Sequence, residues 1–167
     1  MDNIESTIYM SPSNYLISRN ISIIYSAINY AKRSIDYWYQ LIENKRKVRV
    51  VTIHNNLSLE HYVKRNKPYL ISWEKSKIDM PIYDLISIYN NHYLEFEFTE
   101  LIDIYLSKYP LTEEELILFL TIISIPKKII NNNSEYQNVI NIRKQLDYIY
   151  KTNELVKKYN LTKTESE

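Results

Sequence analysis

Not one of the 167 residues of this chain is glycine. Average usage of about 7% would place roughly a dozen in a chain of this length. Glycine enters positive φ freely and lets a backbone approach a ligand with no Cβ in the way. Phosphate cradles built from Gly-rich loops are therefore excluded, and with them P-loop and dinucleotide-binding turns. Left-handed turn positions must fall to asparagine, whose short side chain tolerates that region. Asn55-Asn56, Asn90-Asn91 and Asn131-Asn132-Asn133 are the expected places.

Charge narrows the partners. Twenty-one Lys and Arg oppose 20 Asp and Glu, a net +1, which gives a nucleic-acid partner no electrostatic footprint. Lys45-Arg46-Lys47 reads as solvated surface. With no cysteine, neither a disulfide framework nor a thiolate metal site can form. No apolar run reaches the roughly 18 residues of a membrane span, and residues 1–10 lack a signal peptide's basic start and apolar core. The expectation is one soluble, cytoplasmic domain over residues 1–167, ordered from about 12 to 158, with a frayed tail at 160–167.

Ser11-Pro12 is a helix start, a capping oxygen followed by proline at the first helical position. Leu16, Ile23, Ala27, Ala31, Ile35, Trp38 and Ile42 then recur at three- and four-residue steps. They predict one amphipathic helix to about Lys45, or two with a break near Asn20. Val48–Ile53 is β-branched and reads as a strand. Tyr62-Val63 and Tyr69–Trp73 flank a turn at 64–68 and read as a hairpin. Everything afterwards reads as helix: from Pro81 to about Tyr93, from just after Thr99 to before Pro110, and from a Thr112/Glu115 capping box to about Ser124. Pro126 stops that helix. Ser134 and Gln137 offer a second capping box, before a helix with Val139, Ile142, Leu146, Ile149 and Val156 on one stripe. The fold class expected is α+β, mostly helical, with a small strand and hairpin element near the middle.

That middle carries the chemistry. Protein kinases place a catalytic base and a metal ligand in a loop of the form H-x-D-x-x-x-x-N, followed later by a metal-binding Asp. Residues 54–61, HNNLSLEH, keep the frame, with Asn56 at the Asp position and His61 at the Asn position. After the hairpin, I-S-W-E at 71–74 stands where the second Asp belongs, and D-M-P-I-Y-D-L follows at 79–85. Residues 48–94 resemble the C-terminal lobe of the aminoglycoside phosphotransferase and choline kinase family, above all its spore-coat-kinase-like branch. There the pattern is HGDxxxxN, then I-D-W-E, then D-P-x-x-D-L. The resemblance implies a kinase-like C-terminal lobe. The family's ATP-binding upper lobe would precede the first helix, where this chain has only about ten residues.

The departures fall on the residues that do the work. Asn56 is an amide and takes no proton from a substrate hydroxyl near neutral pH. His61 is a poor magnesium ligand, and Ser72 offers a neutral hydroxyl for an anionic carboxylate. His54, Asn56, His61 and Ser72 are thus vestigial positions, and no catalytic residue is expected. Glu74 is the carboxylate that a small register slip would turn toward a metal. No metal site is expected; His61, Glu74 and Asp79 are the candidates, and His54, His61 and Glu60 form an alternative transition-metal set. His54 is read as a structural brace of the loop. Asp84 is read as bonding backbone amides near a helix start, Asp79 as a loop brace or ligand, and Trp73 and Tyr83 as core.

The resemblance with these losses implies a degenerate phosphotransferase-like domain, inactive and acting in binding or assembly, without cofactor. The alternative is a fragment of a small-molecule kinase for aminoglycosides, choline-like alcohols or sugars. That fragment would use ATP and magnesium only when joined to an upper lobe. Expected partners are that lobe or a second copy, with no nucleic acid and no membrane span.

Overall fold

The computed structural model describes residues 9–130 and 134–159. Its elements run α1 (Pro12–Ile42), β1 (Val51–Ile53), β2 (Tyr62–Lys64), β3 (Pro68–Leu70), β4 (Lys77–Asp79), α2 (Ile82–His92), α3 (Phe98–Lys108), α4 (Glu113–Ser124) and α5 (Glu135–Tyr159). Single 3₁₀ turns at Leu59–His61 and Trp73–Lys75 follow β1 and β3. The α+β, mostly helical class is as read from the sequence. The Asn131–Asn133 turn and the expected tail at 160–167 lie outside the described residues.

Helix α1 starts as its sequence dictates, with the Ser11 hydroxyl accepting from the Asn14 amide at 3.3 Å and proline entering the first turn. It runs unbroken through Asn20, whose side chain donates to the Leu16 carbonyl at 2.8 Å, and it stops at Ile42. Its buried positions are Ser13, Ala27, Ala31 and Ser34. These small residues let α1 lie close against α4 and α5, its main neighbours, while Ile23, placed on the apolar stripe by spacing, is exposed. The Glu135 carboxylate of α5 accepts from the Ser13 amide at 2.6 Å and hydroxyl at 3.0 Å, joining the starts of the two long helices. Those bonds hold the Glu135 carboxyl below the ordinary carboxylate range, the Ser13 amide contributing most.

The core gathers where α2, α3, α4 and α5 meet, around Ile82, Tyr89, Ile102, Phe119, Leu120 and Ile123. Tyr89 stands edge-on to Phe98 at 4.8 Å between ring centres, and its hydroxyl bonds Thr152 at 2.9 Å. Helix α4 is buried along almost its whole length, as its apolar run demands. Its capping box forms, with the Glu115 carboxylate accepting from the Thr112 amide at 2.9 Å. Glu115 is 2% exposed and also receives Arg49 through Nε at 2.9 Å and through a second, shorter bond from Nη2. A buried carboxylate needs such a partner. Ser134 caps the Gln137 amide at 3.4 Å, but the Gln137 side chain turns to Asn141, so that box is half made.

The strands correct the sequence reading in three places. The first strand is three residues, not six: β1 pairs only with β4, antiparallel, Val51 opposite Asp79 and Ile53 opposite Lys77. Val48 and Val50 lie exposed before it. Strand β4 lies in a stretch read as loop and helix; its Ile78 points to solvent, so no alternation marks it. The hairpin forms, Tyr62 opposite Leu70 and Lys64 opposite Pro68, but its second strand is Pro68–Leu70, and Trp73, expected in that strand, opens a 3₁₀ turn instead. Helix α3 begins at Phe98 and takes in Thr99, which was expected to precede it. Among the described residues no helix is long and apolar enough to cross a membrane.

Candidate functional site

Loop 54–61 hangs between β1 and β2 and is fastened mostly from α2. Asp84, in the first turn of α2, accepts from the His54 amide at 2.8 Å and the Asn55 amide at 2.9 Å. Asp84 therefore bonds backbone amides, as expected, but those of the loop thirty residues upstream rather than of its own helix start. One turn on, the Ser87 hydroxyl donates to the Leu57 carbonyl at 3.1 Å. At the end of α2 the His92 Nε2 accepts from the Leu59 amide at 3.2 Å and lies 3.1 Å from the Ser58 hydroxyl. The imidazole proton accordingly sits on Nδ1, which donates to Glu95 at 3.0 Å. Three side chains of one helix thus hold four backbone groups of the loop, those of His54, Asn55, Leu57 and Leu59.

His54 is 1% exposed. Its Nε2 donates to the Ile71 carbonyl at 2.8 Å, so the loop is tied to the residue immediately before Ser72. Its Nδ1 is buried with no partner. His61 lies beside it, ring centres 5.1 Å apart and planes tilted by 30°, and donates from Nδ1 to the Asn56 carbonyl at 2.8 Å. The His61 carbonyl in turn accepts from the Ile71 amide at 2.9 Å. Trp73 approaches the His54 ring edge-on at 5.0 Å. The brace assigned to His54 is thus present, and it brings the loop and the Ser72 turn together.

Backbone strain marks the two ends of this arrangement. Asn55 has φ 60° and Ser72 has φ 64°, the positive values among the described residues. Asn55 was an expected place; Asn56, Asn90 and Asn91 do not take the left-handed conformation, and Ser72 does. With no glycine in the chain, Ser72 carries a conformation that costs an ordinary L-residue about 1–2 kcal/mol. Trp73 and Tyr83, expected in the core, are 44% and 37% exposed. The Trp73 indole N–H is satisfied by the Leu70 carbonyl at 3.0 Å, and Lys77 lies 5.7 Å above the Tyr83 ring.

The charged candidates are not drawn in. Glu74 is exposed in the turn after Ser72. Asp79 is engaged by Lys77 at 2.8 Å and by the Met80 amide at 2.8 Å; the Lys77 ammonium foremost, then the amide, holds its carboxyl below the usual range. Glu60 is exposed beside His61. Among the described residues no three His, Asp or Glu side chains come together as a metal-binding group. A magnesium ion prefers carboxylate and water oxygens; Asn56, His61 and Ser72 offer neutral groups, and the His61 Nδ1 is already committed. These residues do not fit a magnesium site.

Sequence reasoning found His54 and Asp84 through their motif positions and missed Ser58, Ser87 and His92. The signal for His92 was its rarity, one of three histidines in the chain, but nothing local ties it to a loop 33 residues away. Set beside known proteins, the chain matches no family model, no curated protein and no solved structure.

Proposed function

We propose that this chain is a degenerate phosphotransferase-like domain, similar to the C-terminal lobe of aminoglycoside phosphotransferases and choline kinases, that works by binding or assembly and not by catalysis. The observation that carries the reading is the pairing of motif parts distant in sequence: Asp84 of D-M-P-I-Y-D-L grips the His54 and Asn55 amides, and His54 bonds the residue before Ser72. A loop frame of that kind positions a base and two metal ligands; here those three positions are Asn56, His61 and Ser72. Phosphoryl transfer depends on positioning and charge neutralisation, and removing one electrostatic partner commonly costs about 10²–10³ in rate. Losing both anionic groups leaves the shape without the reaction.

A partner for that shape is the family's upper lobe or a second copy. Val48, Val50 and Ile78, exposed around β1 and β4, are apolar surface that such a partner would cover. The test is phosphoryl transfer from magnesium–ATP to aminoglycoside, choline and sugar acceptors, with the chain alone and with a matching upper lobe supplied. No turnover is expected in either case. Turnover abolished by Asn56→Ala or Glu74→Ala would overturn the proposal.

A further inference from the structure

A second feature lies where the residues after α4 meet α5. Pro126 lies just past the end of α4, and residues 127–130, in neither helix nor strand, line an open cavity of about 380 Å³ together with Tyr93 and α5. That volume falls in the range of small-molecule pockets, about 300–1,000 Å³. Among the described residues Lys127, Lys128 and Lys144 line it, and no Asp or Glu does. None of the three lysines forms an ion pair among the described residues. Asp147, whose charge reaches Tyr93, is not among the lining residues.

The wall is built and not merely charged. Gln145 lines the cavity at 9% exposure, and its amide nitrogen is buried with no acceptor. A buried donor left unpaired is costly and calls for a partner. The two phenols of the wall are committed elsewhere: Tyr93 donates to the Lys144 carbonyl at 3.1 Å and Tyr148 to Asn90 at 3.0 Å. These bonds fix the aromatic faces, and Lys127 stands 5.3 Å from the Tyr148 ring centre. What the cavity lacks is an anionic acceptor.

We infer that this cavity is a binding site for a small phosphomonoester with an aromatic or apolar body. A phosphate monoester carries about −1.5 to −2 at neutral pH with three acceptor oxygens, enough for the lysine ammoniums and the Gln145 amide together. Its organic part would lie on Tyr93 and Tyr148. The site is independent of the vestigial loop and of the reading given to it.

Calorimetric titration at low salt with phenyl phosphate, inorganic phosphate and benzoate tests this. Phenyl phosphate should bind saturably with Kd below about 1 mM, a modest affinity for a ligand of this size. Inorganic phosphate should bind more weakly. Lys128→Gln and Lys144→Gln should each weaken phenyl phosphate by about 3–10-fold, as loss of one charge-assisted contact does. Gln145→Met, of similar volume, should weaken it comparably with the melting temperature unchanged or raised. Lys157→Gln, in the last turn of α5, should leave it unchanged. No saturable binding, equal weakening by Lys157→Gln, full affinity in Gln145→Met, or benzoate binding as tightly as phenyl phosphate would each overturn the assignment.

Discussion

Replacing Asp84 by alanine should unfasten loop 54–61 while leaving the helical core in place. The wild-type carboxylate accepts two backbone amides, at 2.8 and 2.9 Å. Hydrogen bonds to a charged group contribute about 1.5–3 kcal/mol each when well buried. The His54 bond is part-buried and the Asn55 bond is exposed to water, so the second counts for less, and the pair is worth about 2–4 kcal/mol together. Asp84→Asn retains one acceptor oxygen and loses the charge, which should cost about 1–2 kcal/mol. Urea unfolding followed by far-UV circular dichroism gives the total. Native-state amide exchange then gives the location: the His54 amide should lose protection in Asp84→Ala well before amides of α4 do. A loss under about 0.5 kcal/mol, or an even loss of protection through α4 and α5, would refute the claim that this one carboxylate anchors the loop.

Three further outcomes follow from the same contacts. Ser72→Gly should raise stability by about 0.5–1 kcal/mol, because Ser72 sits at φ 64° where glycine is at ease; Asn55→Gly should gain less, since asparagine tolerates that region, and thermal melts of both decide it. Arg49→Met should cost about 2–4 kcal/mol in urea, less than the 3–5 typical of a fully buried pair, because it strands the Glu115 carboxylate at 2% exposure while water still reaches the site of the guanidinium; a neutral result would mean that Glu115 is solvated. Burial pushes the Tyr89 and Tyr105 phenols up to about 12, and raises Tyr148 as well. A raised folded value means that the stabilising contribution is whole below the ordinary phenol value of about 10 and is lost as pH climbs from there through the folded values. Absorbance at 295 nm should accordingly show the exposed tyrosines ionising first and the buried ones only at higher pH; a single native-state step near pH 10 would count against this packing.

How much of this was legible depended on whether the cause was local. The Thr112/Glu115 box and the Ser11-Pro12 start are local chemistry, and both form. Helix α1 was legible in length and in part of its buried face: spacing put Ala27 and Ala31 inside, where they are, but it also put the exposed Ile23 there and missed Ser34, a residue small enough for close helix contact. Strand β4 was invisible because Lys77-Ile78-Asp79 owes its extended state to β1, and pairing is not a property of the three residues themselves. The same partner limits β1, since a strand extends only as far as its ladder, which is why Val48 and Val50 fall outside it. Trp73 was misplaced by its size. Its edge meets His54 and its N–H needs only a nearby carbonyl, so it lies half in and half out. In the site, His54 and Asp84 were marked by motif position, whereas Ser87 and His92 act across more than 25 residues of chain on backbone atoms that have no sequence signature.

The contacts that hold loop 54–61 share one property under the proposed reading. Asp84, Ser87 and His92 all engage its main chain, and His54 reaches the main chain of Ile71. Among the described residues Asn56 is engaged only through its backbone carbonyl, and Ser72 contributes a backbone conformation and no capping bond. The frame is therefore indifferent to whether positions 56 and 72 carry charge. In a site that holds a divalent ion, two carboxylates turned toward each other repel until the metal arrives, so their presence costs the empty protein stability. Neutral side chains at both positions remove that repulsion and keep the geometry, which suits a surface required to hold its shape for a partner and not to bind a cation.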